Sequence, residues 1–398
     1  MENTEQEKTF IQKVYPTVNN EDLLEFRIPA NIKANMQLSD VMLRFLVTIP
    51  QINETQLLPE NLFGAKQFSS VEIRINGDGV TRRSCANEYF LGAYFQFMTN
   101  FSSDYVTTSC STFGIFDTVM ENTEAYTSGS AVYKNTMLGR KGVNGDYVYE
   151  IVMPIESSIF SANQSLPTNT PIDISFERLP AKYSTVVEKT GHASKLPEYL
   201  TLDDAYLIIP FANDLTMQQQ EKTAISRPIK MKYDDYVINR FNIPKDSPNA
   251  RLANIISGPL PSKIFWGIMD LAAYSGSFEL STPHFRQFEL RKTTMYVDGN
   301  VLSGFPITTA ENAISVPYTR FLTNTNRYMN CYSARTISQF DYKNFHFIQS
   351  AGLESYECGS LTFDFDFSSA PSDDLVLITC CIYERTAEID NFRNIKIS

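Results

Sequence analysis

Short segments rich in β-branched and aromatic residues recur along the chain, each bounded by turn residues, which is typical of β-strands. In residues 361–367, LTFDFDF, three phenylalanines alternate with two aspartates. Because neighbouring side chains of a strand point to opposite faces, this alternation indicates a sheet with one face in a core. The same reasoning predicts strands at residues 24–28, 42–47, 71–75, 147–152, 172–177, 202–211, 292–297, 344–349 and 375–384.

Few segments have a helical pattern. Residues 86–101 are apolar nearly all round, which favours a helix buried between other elements, and residues 316–331 are a second candidate. Residues 215–225 are polar and glutamine-rich, and they lie between Asn213-Asp214 and Pro228. We interpret this polar segment as a linker between two halves.

The two halves repeat one order of elements. A strand runs into Asn76-Gly77 in the first half and into Asp298-Gly299 in the second, and a helix and three strands follow each time. Both dipeptides tolerate the positive φ of tight hairpins. We therefore predict an all-β fold of two tandem sandwiches or jelly rolls. The first covers residues 21–212 and the second 228–398, with the linker at 213–227.

Charge and targeting features narrow the classes of function. The 398 residues have a formal net charge of −11 and no cluster of lysine and arginine, so we expect no strong direct binding of nucleic acid. The N-terminal residues lack the features of a signal peptide, and no apolar run reaches the roughly 18 residues of a membrane span. Six cysteines (85, 110, 331, 358, 380 and 381) have no C-x-x-C spacing. They suit a reducing compartment, with Cys380 and Cys381 as buried small hydrophobic residues.

The search for chemistry yields no candidate catalytic, metal or cofactor residues. The histidines, His192, His284 and His346, lie far apart without metal-ligand spacing. No nucleophile elbow, phosphate-binding loop or dinucleotide fingerprint occurs. Three carboxylate pairs could serve acid–base or calcium chemistry, but we interpret them as solvated charge in loops. They are Asp203-Asp204, Asp234-Asp235 and Asp373-Asp374.

Three stretches, in the right order, resemble a known family. The first is residues 70–77 with 87–95. The second is 258–267 with 272–276, 288–290 and 296–299, and the third is 358–367 with 376–383 and 388–390. Together they resemble the double jelly-roll major capsid proteins of Polinton/Maverick elements, adintoviruses and virophages, and more distantly those of adenoviruses and tailless membrane-containing phages. One departure is Thr282-Pro283-His284-Phe285, where such relatives usually have Asn-Pro-Phe. The chain is also shorter than most eukaryotic relatives, which implies small loops above the rolls.

The resemblance implies two eight-stranded antiparallel jelly rolls with short helices in the connecting loops. It also implies a homotrimer that looks hexagonal and tiles an icosahedral shell, with neighbouring capsomers and minor capsid or penton proteins as partners. Residues 1–20 would be a flexible arm, and an internal membrane is compatible with this arrangement. The protein would be made in the host cytoplasm or nucleus, would not be secreted and would reside in the virion capsid.

Other functions remain open at the level of sequence. A minor vertex protein or a receptor-binding spike is one alternative, although a vertex protein needs only one roll. A carbohydrate-active β-sandwich enzyme is another, but Trp266 is the only tryptophan and no catalytic constellation is evident. A carbohydrate-binding adhesin or lectin is disfavoured by the missing secretion signal and the unpaired cysteines.

Overall fold

The computed structural model describes residues 8–30, 35–50, 57–81, 87–100, 112, 114, 140–141, 146–162, 165–166, 169–187, 196–213, 228–309, 313–325, 339–344, 346–390 and 392–398. In each half of the chain, eight principal strands form two facing antiparallel sheets. We number these strands β1–β8 in the first half and β9–β16 in the second.

The strands of the first half are β1 (Lys8–Val14), β2 (Leu23–Ile28), β3 (Met42–Ile49), β4 (Phe68–Ile75), β5 (Asp78–Gly79), β6 (Tyr147–Pro154), β7 (Ile172–Arg178) and β8 (Thr201–Asn213). One sheet has the order β1-β8-β3-β6 and the other β2-β7-β4-β5. Helix α1 (Glu88–Asn100) follows β5. Short strands lie at Val18–Asn19, Asn35–Gln37, Leu57–Pro59, Arg140–Lys141, Ser165–Leu166 and Thr185–Val187, and single 3-10 turns at Leu38–Asp40, Ala65–Gln67, Ser158–Ser161 and Ala181–Tyr183.

The strands of the second half are β9 (Ile229–Ile243), β10 (Asn249–Pro259), β11 (Lys263–Asp270), β12 (Leu290–Val297), β13 (Asn300–Val301), β14 (Ile348–Gly352), β15 (Cys358–Phe367) and β16 (Leu375–Ile389). The sheet orders are β9-β16-β11-β14 and β10-β15-β12-β13. Helices are α2 (Leu271–Tyr274), α3 (Ser315–Asn324) and α4 (Gln339–Asn344), and short strands are Ile307–Thr308 and Ile395–Ile397. Each strand is thus the counterpart of the strand numbered eight lower, so the two halves share one jelly-roll topology.

The alternating segment of β15 shows how sequence pattern becomes core. Its three phenylalanines are buried, whereas the two aspartates face outward. Asp364 lies 3.6 Å from Arg251 on β10, and Asp366 lies 2.5 Å from Arg291 on β12. The predicted alternation is confirmed, and the outward carboxylates pair with cations on the neighbouring strands.

Both predicted hairpin turns are present. Asn76 and Gly77 have φ values of 53° and 89° between β4 and β5, and Asp298 and Gly299 have 50° and 79° between β12 and β13. Glycine adopts such values without steric cost, and asparagine and aspartate tolerate them better than other residues. The equivalent turn therefore opens the connection to α1 in the first roll and to α3 in the second.

Some elements differ from those predicted. The strand predicted at 344–349 begins only at Ile348, because residues 339–344 form α4. The helix predicted at 316–331 is described as Ser315–Asn324, and 326–331 lie outside the described residues. Residues 214–227 of the predicted linker also lie outside them, between the end of β8 and the start of β9.

The largest difference is at the start of the chain. We predicted a flexible arm over residues 1–20, whereas residues 8–14 form strand β1, which pairs with β8 from Lys8↔Asn213 to Val14↔Leu207. This part of the predicted arm therefore belongs to the first roll, while residues 1–7 lie outside the described residues. The segment KTFIQKV alternates too weakly to predict a strand by itself. Its hydrogen-bonding partner lies about 200 residues away.

Replacing Phe90 of α1 by alanine tests the core. Phe90 is fully buried, so we expect the Phe90→Ala variant to lose about 3–5 kcal/mol of unfolding free energy, through lost burial and the cavity left behind. Phe392→Ala is the matched control, because Phe392 is 82% exposed. Urea denaturation followed by tyrosine fluorescence measures both. Equal midpoints would show that α1 is not part of the core.

Candidate functional site: the junction between the two rolls

The described residues offer little for catalysis or metal binding. No group of three or more histidine, cysteine, aspartate or glutamate side chains among them is placed to hold a metal ion. His346 is buried and His284 partly exposed, while His192 lies outside the described residues. Cys380 and Cys381 are buried, and burial raises the pKa of both thiols. No described helix is long and apolar enough to span a membrane.

The three carboxylate pairs are scattered over the fold, and two of them lie in strands rather than in the loops that we predicted. Asp204 in β8 pairs with Arg44 at 2.5 Å, and Asp235 in β9 lies 3.5 Å from Arg385. Asp374 is exposed in a turn, where its side chain accepts a hydrogen bond from the backbone N–H of Lys245 at 3.1 Å. Strands admit these acids because each faces outward toward a cation or solvent. The structure does not bring the three pairs together.

The most elaborate feature of the described structure is the junction between the rolls, and helix α1 is at its centre. Every residue from Tyr89 to Thr99 is buried. On one side, Tyr89 packs edge-on against Phe68 and Phe176 in the core of the first roll. On the other side, α1 contacts β9 of the second roll. The helix is apolar all round because each roll covers one of its faces.

An aromatic contact joins α1 to the second roll. The ring centroid of Phe285 lies 5.5 Å from that of Tyr94 and 5.8 Å from that of Phe95. Tyr94 Oη is 2.7 Å from Nδ1 of the buried His346. A Cβ on Gly267 would meet the Phe285 ring at 2.5 Å, so glycine at this position leaves room for the ring against β11. The buried polar tips therefore satisfy each other within an apolar contact.

A buried ion pair of the first roll holds a carboxylate that also binds the second roll. Lys66 Nζ lies 2.5 Å from Glu60 Oε2, and both side chains are about fully buried, with exposed fractions of 1% and 0%. The same carboxylate oxygen accepts a hydrogen bond from the backbone N–H of Thr282 in the second roll at 3.0 Å, and Ser281 Oγ lies at 3.5 Å. Because charges in a low-dielectric interior need close partners, this carboxylate fixes how the two rolls meet.

Three hydrogen bonds that involve backbone groups extend the junction. Asn87 Nδ2 donates to the carbonyl of Tyr274 at 3.2 Å, and the Val187 N–H donates to the carbonyl of Phe278 at 2.8 Å. The Ile395 N–H donates to Asp78 Oδ2 at 3.3 Å, in the turn that leads to α1. These hydrogen bonds, from residues far apart in the second roll, hold it against the first.

A small crevice of about 60 Å³ remains between the rolls. Its walls come from α1, from residues 156–159 after β6, and from Asp235 and Tyr236 of β9. The Tyr236 N–H, on the edge of β9, donates to Ser158 Oγ at 3.0 Å. Burial raises the pKa of Glu156 to about 8, while Glu88, Tyr89, Asp235 and Tyr236 face the same crevice. A carboxyl group with these neighbours retains its proton near neutral pH.

The junction has a direction. The side of the first roll that carries α1 and residues 156–159 receives the edge strand β9 of the second roll. The two surfaces in contact are different, so the contact is head to tail and can be repeated. The arrangement can thus bring two unlike protein surfaces together. The sequence predicted α1 as a buried helix, but it gave no signal for Glu60, Lys66 or Glu156.

Solved structures share the fold of this chain. A chain of the Sputnik virophage structure superimposes with a TM-score of 0.66 and 12% identity, covering 98% of this chain and 88% of that one. A chain of the PBCV-1 virus capsid gives 0.59 and 8%, covering 100% and 99%. The mavirus major capsid protein gives 0.55 and 10%, covering 98% and 90%. The chain has the double jelly-roll fold of viral major capsid proteins.

This fold was predicted from the resemblance and is confirmed. At 8–12% identity, the double jelly roll is shared through its backbone rather than through conserved side chains. No protein-family model matches the sequence, and no curated protein does. The residues of the junction must therefore be tested in this chain itself.

The ion pair can be tested with a pair of substitutions. Lys66→Met leaves the Glu60 carboxylate buried without its cation, so we expect a loss of about 3–5 kcal/mol in unfolding free energy. The double variant Glu60→Gln/Lys66→Met removes both charges and keeps an acceptor for the Thr282 N–H, so it should recover most of that loss. Chemical denaturation measures both variants. A double variant as unstable as the single one would contradict the pairing.

Glu156 predicts a dependence of stability on pH. Its pKa is about 8 in the fold against an ordinary 4.5, so the folded state holds a proton that the unfolded chain releases between these values. The contribution of Glu156 to stability should be fully present below about pH 4.5 and should be lost as the pH rises toward 8. Glu156→Gln should reduce the decrease in melting temperature between pH 5.5 and 8.5, whereas Glu279→Gln, at an exposed site, should not. An unchanged pH profile in Glu156→Gln would assign the titration elsewhere.

Proposed function

We propose that the chain is the major capsid protein of a virus or viral element and that it acts by assembly rather than catalysis. The observation that carries the proposal is the match of 98% or more of the chain, across both rolls, to chains of a virophage, a virus capsid and a mavirus major capsid protein. A likeness confined to one roll would fit many β-sandwich proteins. Two complete rolls joined in this way suit a shell subunit.

The assembly unit is a homotrimer in this proposal. Each chain contributes two rolls, so a ring of three chains presents six similar units and fits a lattice of sixfold outline. Head-to-tail contacts close into rings when the rotation between neighbours divides a full turn. The junction inside the chain already provides one such contact. Neighbouring capsomers and minor capsid or penton proteins would complete an icosahedral shell, with an internal membrane compatible.

The chemistry of the described surface is consistent with this role. Acidic residues exceed basic ones by 11, so binding to bare DNA through phosphate contacts is weak at physiological salt in this proposal. The buried cysteines suit a protein made in the reducing cytoplasm or nucleus of a host. Genome packaging would then depend on other proteins or on a membrane between the shell and the genome.

Light scattering coupled to size-exclusion chromatography tests the assembly. We expect the purified protein to elute with the mass of three 45.2 kDa chains or as larger shells that electron microscopy resolves as hexagonal units. A vertex protein would form pentamers, and a secreted lectin or an enzyme needs no such ring. A stable monomer at all concentrations, or a pentamer, would contradict the proposal.

A further inference from the structure

The junction inside the chain leaves two complementary surfaces unused. The first roll offers α1 to the second and leaves its own edge strand, β1, free of a second neighbour among the described residues. The second roll offers its edge strand β9, and no described residue of the first roll covers its own α3 side. Because α3 follows β13 as α1 follows β5, the free side of the second roll corresponds to the covered side of the first.

The uncovered side carries an open groove where the covered side has the crevice. This outer groove has a volume of about 320 Å³ and is lined by the segment after β13, by α3 and by loop 353–357 after β14. The crevice is lined by the equivalent elements of the first roll, and β9 closes it to about 60 Å³. Only Pro317 and Phe321 of α3 are buried, in contrast to the fully buried α1. The outer groove is thus the same site without its edge strand.

The register of the sheets identifies the missing strand. Tyr236, which closes the crevice, pairs with Ile382 on β16. Ile382 pairs in turn with Lys263, the first residue of β11. In the first roll, Lys13 pairs with Ile208 on β8, and Ile208 pairs with Met42, the first residue of β3. Because β3 and β11 are counterparts, Lys13 of β1 is the counterpart of Tyr236. The part of β1 that corresponds to the contact in β9 is therefore residues 12–14.

Exposed apolar side chains mark the same two surfaces. Among the described residues, seven large hydrophobic side chains are exposed. Three lie on or directly after β1, namely Phe10 (42%), Ile11 (69%) and Tyr15 (61%). Tyr356 (37%) lines the outer groove, and Val301 (50%) and Val316 (57%) lie in β13 and α3, next to residues that line it. The seventh is Phe392. Clustered exposure of this kind is typical of an interface, whereas isolated exposed residues are not.

The charges of the two surfaces are opposite. Strand β1 has no acidic residue and carries the exposed Lys13, whose Nζ lies over the Tyr206 ring at the surface of its own roll. Loop 353–357 contains Glu354 and Glu357, both exposed. Arg320, which lines the groove, is engaged within its own roll, because Nη2 donates to the Gly304 carbonyl at 2.6 Å and the guanidinium lies over the Phe305 ring. Complementary charge favours this pairing over self-contacts of either surface.

We propose that β1 of one copy docks into the outer groove of the next copy, so that the contact made within the chain is repeated between chains. Lys13 takes the place of Tyr236, opposite Ser355 and Tyr356 of loop 353–357. The exposed side chains around β1 and around the groove cover each other. The inference rests on the proposed trimer and adds to it the surfaces that meet.

A disulfide tests the contact directly. Lys13→Cys and Ser355→Cys are introduced together in a Cys358→Ser background, because Cys358 is exposed. Mild oxidation should give covalent dimers and trimers on a non-reducing gel, since the two cysteines belong to different chains. The two variants that carry only one of the introduced cysteines, in the same background, are the controls for the five remaining native cysteines and should stay unlinked.

Charge reversal provides a second test that does not depend on linkage. Lys13→Glu should raise the subunit dissociation constant by roughly tenfold or more, as should Glu354→Lys/Glu357→Lys, because each places like charges together. Combining the three substitutions should restore the trimer. Lys245→Glu, in the turn after β9, is the matched control, and the melting temperature of each variant shows whether its rolls are folded.

The outcomes separate the two proposals. Trimers that neither form the disulfide nor respond to charge reversal would overturn the docking of β1 and leave the trimer intact. A wild-type chain that remains a monomer would overturn the trimer and the docking together. Linked chains with restored association in the combined variant would support both.

Discussion

Helix α1 has no exposed face between Tyr89 and Thr99, and this double coverage is the constraint on which the architecture depends. In the first roll, α1 follows the fifth strand and lies on one side of the sandwich. An apolar helix in this position needs a second surface to exclude water. The second roll supplies that surface through Phe285 and β9. The apolar core of the first roll is therefore incomplete without the second roll.

The polar contacts of the junction determine the relative placement of the two rolls more than they add to the stability of the contact. Apolar surfaces slide over each other at small cost, but the Glu60 carboxylate, which Lys66 holds within the first roll, can meet the Thr282 N–H in only one placement of the rolls. Tyr94 and His346 impose a similar condition within the aromatic contact. Buried polar groups that lose their partners are costly, so alternative placements are excluded by what they would leave unpaired.

The sequence predicted the elements whose pattern is local. The alternation of residues 361–367, the Asn-Gly and Asp-Gly turns and the apolar α1 each depend on neighbouring residues. Strands β1 and β9 were missed because their identity depends on distant partners: β1 is only weakly alternating, and Asp234-Asp235 interrupts β9 with charge that an adjacent strand and a cation accommodate. The junction depends on contacts such as Glu60 with Thr282, separated by 222 residues, which no local pattern encodes.

The hydrogen bonds from residues 392–395 to the Asn76–Asp78 turn have a consequence for synthesis. Asn76 Nδ2 donates to the Phe392 carbonyl and the Ile395 N–H to Asp78 Oδ2, across 316 and 317 residues. A ribosome releases the first roll long before these partners exist. The partners of α1 in the second roll, β9 and Phe285, also follow it by more than 100 residues. A nascent chain therefore holds α1 with one face bare until they emerge, and in this interval chaperones or premature aggregation compete for it.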